Sequence, residues 1–294
     1  MRRDPAFWLS AAALGMILVA AVFAERLAPY GPNEQDILKR LQPPGIPGHV
    51  LGTDEVGRDI LSRLTHGARI SLLIGVIAVG VSCPLGVLVG LVAGYAGRRT
   101  DDVLMHVTDI QLAIPTILLA IAVVAVLGPG LPNVIITLSV TGWTLYARLV
   151  RGQTMTVKTR DFVQAARANG AGDARIVLRH VLPNVFSPVI VVAVFAVANM
   201  IVLEATLSFL GLGVEPSVVT WGRMLNGGRL YLNTAWWLTA FPGFAIFVTV
   251  LAVNLLGDHL RDWLDPRLRN TLGSEAAVLQ VSDNRPFGAV AFVA

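Results

Sequence analysis

The chain alternates long apolar runs with short polar ones. Runs free of Asp, Glu, Lys and Arg cover residues 6–24, 70–97, 110–147, 181–203 and 230–257. A bilayer core of about 30 Å needs about 20 apolar helical residues. Each run is long enough, and 110–147 is long enough for two spans. It is broken by Gly128-Pro129-Gly130-Leu131-Pro132, a turn-forming cluster. The pattern therefore predicts an all-α integral membrane chain of about six transmembrane helices. The division that follows is a cytoplasmic N-tail and first span (1–24), an extracytoplasmic loop (25–69), a five-helix core (70–260) and a cytoplasmic tail (261–294).

The segment 148–183, between the fourth and fifth spans, is too short for a domain and too regular for a linker. Residues 161–168 hold good helix formers behind Asp161 or Thr159 as a cap. Asn169-Gly170-Ala171-Gly172 breaks that helix, because Gly and Asn tolerate the left-handed conformation. Asp173 is expected to cap a second short helix over 174–181. Ile176, Val177 and Val181 share one face of it, and Pro183 stops it. The product is a knob with a small tip: Ala165, Ala166, Ala168 and Gly170. Two readings stand side by side, a docking element for another protein and an amphipathic loop on lipid headgroups.

Composition agrees with a membrane chain. Of 294 residues 54% are hydrophobic and 14% charged, against about 25% charged in a soluble domain. Mean hydropathy is +0.67. The first run resembles a secretory signal peptide, with Arg2 and Arg3 ahead of it and Ala24 behind, but it is longer than the usual apolar region of one. The net charge of +4 matters less than where the cations lie. With six spans, fifteen Lys and Arg fall on the side of the termini and of segment 148–183, and eight on the other. The positive-inside rule then puts both termini in the cytoplasm. Gly86, Gly90 and Gly94 recur every four residues, a spacing that lets two helix backbones approach. Most of the six tryptophans lie near span ends, as interfacial anchors would.

Catalytic chemistry is missing from the pattern. There is no GxxxxGK[ST], HExxH or GxSxG. His49, His66, His106, His180 and His259 lack metal-ligand spacing, and Cys83 reads as a small apolar packer. No catalytic residue and no metal site are expected. Asp109 and Glu204 are the acids nearest membrane depth, both read at span ends. A secondary transporter would need such acids at the midplane. A membrane enzyme would need a cluster such as Asp101, Asp102 and His106; a solvated pair, or one matched to Arg98 and Arg99, is the plainer reading.

Gln164-Ala165-Ala166, then Gly170, Leu182 and Pro183, resembles the "EAA" loop of binding-protein-dependent ABC importer permeases. That pattern runs E-A-A, three residues, G, nine residues, I-x-L-P. Gln164 stands for the Glu and His180 for the Ile, so any ion pair of the missing carboxylate is in doubt. Leu51-Gly52-Thr53-Asp54-x-x-Gly57-Arg58-Asp59-x-x-Ser62-Arg63 is similar to the N-terminal signature of the C-type subunit in the dipeptide, oligopeptide and nickel group. Asp161-Phe162-Val163 before the Ala pair, His180-Val181-Leu182-Pro183-Asn184, residues 207–213 and residues 260–267 match the same group. The tail from Thr271 lies outside the match.

The resemblance implies a non-enzymatic subunit forming half of a translocation pore in the inner membrane. A second homologous permease would complete the pore. Two P-loop ATPase domains would supply the drive, with ATP and Mg bound there and no cofactor on this chain. An extracytoplasmic binding protein would deliver di- or oligopeptides, or nickel or glutathione. No nucleic-acid partner is implied. The residues carried over for ATPase coupling are Asp161, Gln164, Ala165, Ala166, Gly170, Asp173, His180, Leu182 and Pro183. Gly52, Asp54, Gly57, Arg58 and Asp59 form an extracytoplasmic motif that either contacts the binding protein or shapes the loop. Gln164→Glu is expected to be tolerated, and Gly170→Asp to clash at the turn.

Overall fold

The computed structural model describes residues 5–264, and within them the chain is helical, with only two isolated β-bridges and no strand. The helices are α1 (Pro5–Val22), α2 (Ala24–Leu27), α3 (Ile60–Ala96), α4 (Arg98–Ala113), α5 (Thr116–Leu127), α6 (Leu131–Val157), α7 (Asp161–Ala168), α8 (Asp173–Ile176), α9 (Leu182–Phe209), α10 (Trp221–Gly228) and α11 (Trp237–Leu264). Residues 265–267 of the last motif, the tail and the N-terminal arginines lie outside the described residues.

Four helical stretches are long and apolar enough to cross a bilayer: α1, α3, the continuous run Asp173–Phe209, and α11. Their outward residues are apolar, among them Met16, Val76, Leu88, Phe244 and Phe247. That is the arrangement expected where the solvent is lipid.

The third and fourth predicted spans look different in three dimensions. The third is a bent pair: α4 and α5 meet at 91° across Ile114 and Pro115. Proline disfavours helix at the residue before it, and Ile114 is extended. The pair counts as one span at most. Helix α6 is 27 residues long, yet it is less apolar than the four qualifying stretches. It carries buried Thr137, Ser139, Thr141 and Thr144. The first three find acceptors within the helix. Thr137 and Ser139 donate to the carbonyls of Asn133 and Ile135 at 2.7 Å, and Thr141 to Leu138 at 3.0 Å.

Helix α6 is central instead, packed along most of its length against α3 and also against α9. The glycine stripe makes this contact. A Cβ on Gly90 would stand 2.6 Å from the Ala147 carbonyl oxygen, and one on Gly94 would stand 2.7 Å from Thr154 Cβ. Gly86 faces Trp143 and Tyr146 in the same way. The backbones touch because no side chain intervenes.

The apolar core has two parts. The larger joins Ile74, Leu138, Tyr146, Val150 and Leu207 to Val163 and Ile176 of the 148–183 segment. The knob is thus rooted in the core of the bundle. The smaller part gathers Ile60, Leu72, Trp221, Met224, Trp237 and Leu238 at the other end of α3. Trp221 and Trp237 are buried here rather than anchored at an interface; their indole N–H groups donate to Leu64 O (3.0 Å) and Thr53 O (3.1 Å). Helix α1 packs on α11 and α3, with the Phe7 and His259 rings 5.3 Å apart.

Gly90→Val is expected to force α3 and α6 apart and to destabilise the protein by about 1–3 kcal/mol, the usual range for overpacking. Thermal unfolding of the detergent-solubilised protein reads this as a lowered midpoint, with Gly80→Val, where a Cβ meets open space, as the control.

Candidate functional site

The knob begins where α6 ends. Lys158, the residue after α6, donates from Nζ to the Gly94 carbonyl at 2.6 Å. This ties the start of the knob to the glycine stripe of α3. Helix α7 follows with Arg160 as its N-cap and no side-chain cap. Asp161 sits in the first turn, where its charge meets the positive end of the helix. Thr159 donates instead to Thr156 O at 3.0 Å. Neither expected cap is therefore made. Gln164 donates from Nε2 to Lys158 O at 3.0 Å, satisfying a carbonyl at the end of α6. Val163 is buried in the core, while Ala165 and Gly170 are exposed and Ala166 partly so.

The turn after α7 is a Schellman motif. Ala171 N–H donates to Ala166 O at 3.1 Å and Gly170 N–H to Arg167 O at 3.0 Å. Gly170 has φ +80°, the left-handed value such a turn requires. A Cβ there would meet nothing within 4 Å. The steric clash expected for Gly170→Asp is thus absent inside this chain.

Asp173 does not cap a separate helix. Gly172 is the N-cap of α8, and the Asp173 carboxylate accepts from Tyr95 Oη at 2.5 Å. Arg167 donates to the same Tyr95 oxygen at 3.0 Å and lies 3.9 Å from Asp173. Its pKa is pushed up, first by the Tyr95 bond and then by nearby negative charge. Tyr95 is the penultimate residue of α3, so this triad is a second tie between knob and bundle.

Pro183 does not stop the second helix. A π-helical turn at Val177–Val181 carries α8 straight into α9. Pro183 lies in the first turn of α9, where its missing N–H is tolerated, and the wider turn falls where its ring would press on the carbonyl four residues back. Leu182 opens α9. His180 is partly buried, its ring 6.5 Å from that of Phe162. The apolar face of Ile176, Val177 and Val181 packs into the core as its spacing suggests.

At the far end of α3 the second motif is a buried knot. Asp59 is the N-cap of α3: it accepts from Ser62 N and Ser62 Oγ, each at 2.7 Å, and lies 3.0 Å from His49 Nδ1. Asp54 accepts from the backbone N–H groups of Val56 (3.0 Å) and Arg58 (2.9 Å) and from Arg58 Nε (2.5 Å). Gly52 and Gly57 both have φ +81°, and a Cβ on Gly52 would stand 2.5 Å from Gln42 O. Gly57 lies against the backbone of Asp36. Asp54 and Asp59 are about as buried as core residues. These residues hold the loop in shape; Asp54 and Arg58 also line a cavity.

Other expectations move. Asp101 pairs with Arg151, at 2.5 and 2.6 Å, rather than with Arg98 or Arg99. Asp109 lies within α4 and pairs with Arg148 at 2.6 Å. Glu204 is fully buried inside α9, accepting from Ser208 Oγ at 2.7 Å, and is not at a span end. No cluster of three metal-ligating residues occurs among the described residues. Sequence reasoning missed Tyr95, Arg167 and Lys158 as ties of the knob. Lys158 is one of only two lysines, a faint signal; the other two become visible only when residues 72 apart meet.

A helical bundle with a rooted knob at one end defines a class, and comparison with known proteins names it. Residues 86–270 match the family described as binding-protein-dependent transport system inner membrane component. Residues 1–44 match the N-terminal TM domain of oligopeptide transport permease C. The chain belongs to this family of ABC importer permeases, in its C-type dipeptide and oligopeptide branch. It is 47% identical over 260 residues to the di/tripeptide transport system permease protein DppC of Pseudomonas aeruginosa, covering 87% of this chain and 86% of that protein. It is 42% identical to the glutathione transport system permease protein GsiD of Pectobacterium atrosepticum, covering 87% and 85%. Its fold is similar to a chain of the inward-facing MetNI methionine ABC transporter, with TM-score 0.57, 19% identity, and 69% of this chain and 96% of that chain covered. The chain is accordingly a multi-pass inner-membrane permease and not an enzyme.

Asp59→Ala is expected to remove the α3 cap, worth about 1 kcal/mol, and to leave buried Ser62 and His49 short of a partner, a further 1–3 kcal/mol or so. Asp59→Asn keeps an acceptor and is expected to lose less; limited proteolysis of the 25–59 loop in membranes separates the two. Gln164→Glu forfeits the bond to Lys158 O, because a carboxylate has no N–H to give. At this exposed position the cost is expected to be about 1 kcal/mol, with ATP-driven uptake retained.

Proposed function

We propose that this chain forms half of the pore of an ATP-driven importer for di- or oligopeptides, with α7 as the element that docks on a partner ATPase. The observation that carries this reading is the mechanical continuity of the knob. Helix α7 is tied to the end of α6 through the Gln164–Lys158 bond, to α3 through Arg167 and Tyr95, and, across the tight turn at 169–172, to the continuous helical run Asp173–Phe209. A push on α7 therefore moves three helices together, which a two-state pore requires. The small residues Ala165, Ala166 and Gly170 offer a partner close approach to backbone.

In this reading a second homologous permease completes the pore. Two P-loop ATPase domains bind ATP and Mg on the cytoplasmic face. A substrate-binding protein docks at the opposite end, where residues 25–59 and α10 lie. ATP-driven closure of the ATPases moves the two knobs, and the pore turns outward to receive its load. Both termini are cytoplasmic, supported by the excess of cations on that side. Peptides are the favoured substrate because several relatives carry that name; a relative named for glutathione keeps a peptide-like tripeptide within the same class.

Gly170→Asp tests the docking role. Within this chain the substitution meets open space, and Asp is among the residues that visit the left-handed region. The protein is expected to insert and fold, while ATP-driven peptide uptake falls at least tenfold and the ATPase no longer copurifies. Uptake at the level of the unaltered transporter would remove the assignment.

A further inference from the structure

The end of the bundle away from the knob holds a cavity of about 310 Å³, near the lower bound of small-ligand sites, about 300 Å³. It lies roughly 48 Å from the knob, taking Arg63 and Tyr95 as the two ends of a 1.5 Å-per-residue helix. Its charged lining is Asp54, Glu55, Arg58, Arg63 and Arg223, so three guanidinium groups face two carboxylates.

The two carboxylates are already engaged. Arg58 bonds Asp54 through Nε at 2.5 Å and Glu55 through Nη2 at 2.9 Å. Arg63 donates to Pro32 O at 3.0 Å and lies 3.6 Å from the same Asp54 oxygen. Asp54 also takes two backbone N–H groups, so three hydrogen bonds and the Arg63 charge already compensate it. Arg223 is left over. Its backbone N–H donates to the Thr220 cap, but its guanidinium makes no hydrogen bond or ion pair among the described residues. It sits in the first turn of α10, half-buried, and burial lowers its pKa, with the Arg58 charge adding and Glu55 opposing. A half-buried cation beside other cations is stabilised by an incoming anion. The guanidinium fork presents two parallel donors, which suit a carboxylate.

Resting on the importer reading, we propose that this cavity receives a carboxylate during loading of the pore, with Arg223 as its direct partner. Two sources bring that group to this end: the C-terminus of a peptide in transit, and an acidic side chain of the docked binding protein. Glu55 and Asp54 hold Arg58 and Arg63 back from the same anion, so Arg223 confers the selectivity. The site is then an acceptor for a negative terminus or acidic contact, and a poor host for a free cation.

The test uses the whole transporter in proteoliposomes, with its binding protein titrated and a radiolabelled dipeptide as cargo. Two quantities are read for the wild type and Arg223→Gln: the binding-protein concentration that half-maximally stimulates ATP hydrolysis, and the peptide carried per ATP. If the carboxylate belongs to the binding protein, the half-maximal concentration is expected to rise about tenfold or more, the equivalent of 1.4 kcal/mol, with peptide per ATP unchanged. If it belongs to the peptide, the half-maximal concentration stays put and peptide per ATP falls by a similar factor. Either result supports the site. Both quantities unchanged in an Arg223→Gln complex of normal subunit composition would overturn it. If that complex fails to assemble, Arg223→Lys, which keeps the charge and loses the fork, is read in the same way. A wild-type transporter that carries no peptide at the expense of ATP would overturn the importer reading, and this site with it.

Discussion

Helices α3 and α6 touch backbone to backbone at Gly90 and Gly94, and the rest of the structure is arranged around that contact. Side chains there would hold the helices apart. Because they are absent, the Gly94 carbonyl lies within reach of Lys158, and Tyr95, one residue on, reaches both Arg167 and Asp173. The register of two membrane helices thus sets the position of a knob outside them. In a bilayer, where apolar burial gives little preference for one helix face over another, close packing of this kind is a main source of specificity.

The knob is stiff for reasons that can be separated. A Schellman turn at Gly170 closes α7. Val163 and Ile176 anchor it in the same core as Tyr146 and Val150. The π turn lets Pro183 sit inside a continuous helix rather than ending one. In the proposed role stiffness matters, because a soft connection would absorb a push from an ATPase instead of passing it to α3, α6 and α9.

The other end of α3 is built on different physics. Here polar groups are buried and paired: Asp59 caps the helix, Asp54 gathers backbone and guanidinium donors, and Trp237 donates to Thr53. Such a network fixes a loop that has little apolar surface of its own. Of the charged groups lining the cavity, Arg223 alone makes no side-chain bond or ion pair among the described residues. A single uncompensated guanidinium beside a cavity is the natural place to look for contact with an incoming carboxylate.

Much of this was legible along the chain. Uncharged runs announced membrane helices, Asn169-Gly170 announced the turn, and three glycines at spacing four announced a helix contact. These are local signals, set by backbone sterics and by the thickness of a bilayer. Other features were decided only by the tertiary structure. The bend at Ile114 and Pro115 turns an apolar run through 91° because proline constrains the residue before it. Helix α6 tolerates Thr137, Ser139 and Thr141 because their hydroxyls bond to its own carbonyls while neighbours shield them from lipid. Glu204 looked like the end of a span and is buried, since α9 runs on to Phe209. Which cation meets which carboxylate, Arg151 with Asp101 and, among the described residues, none with Arg223, depends on helices distant in sequence lying side by side. Charge along a chain carries no record of that, because ion pairs form by distance in space.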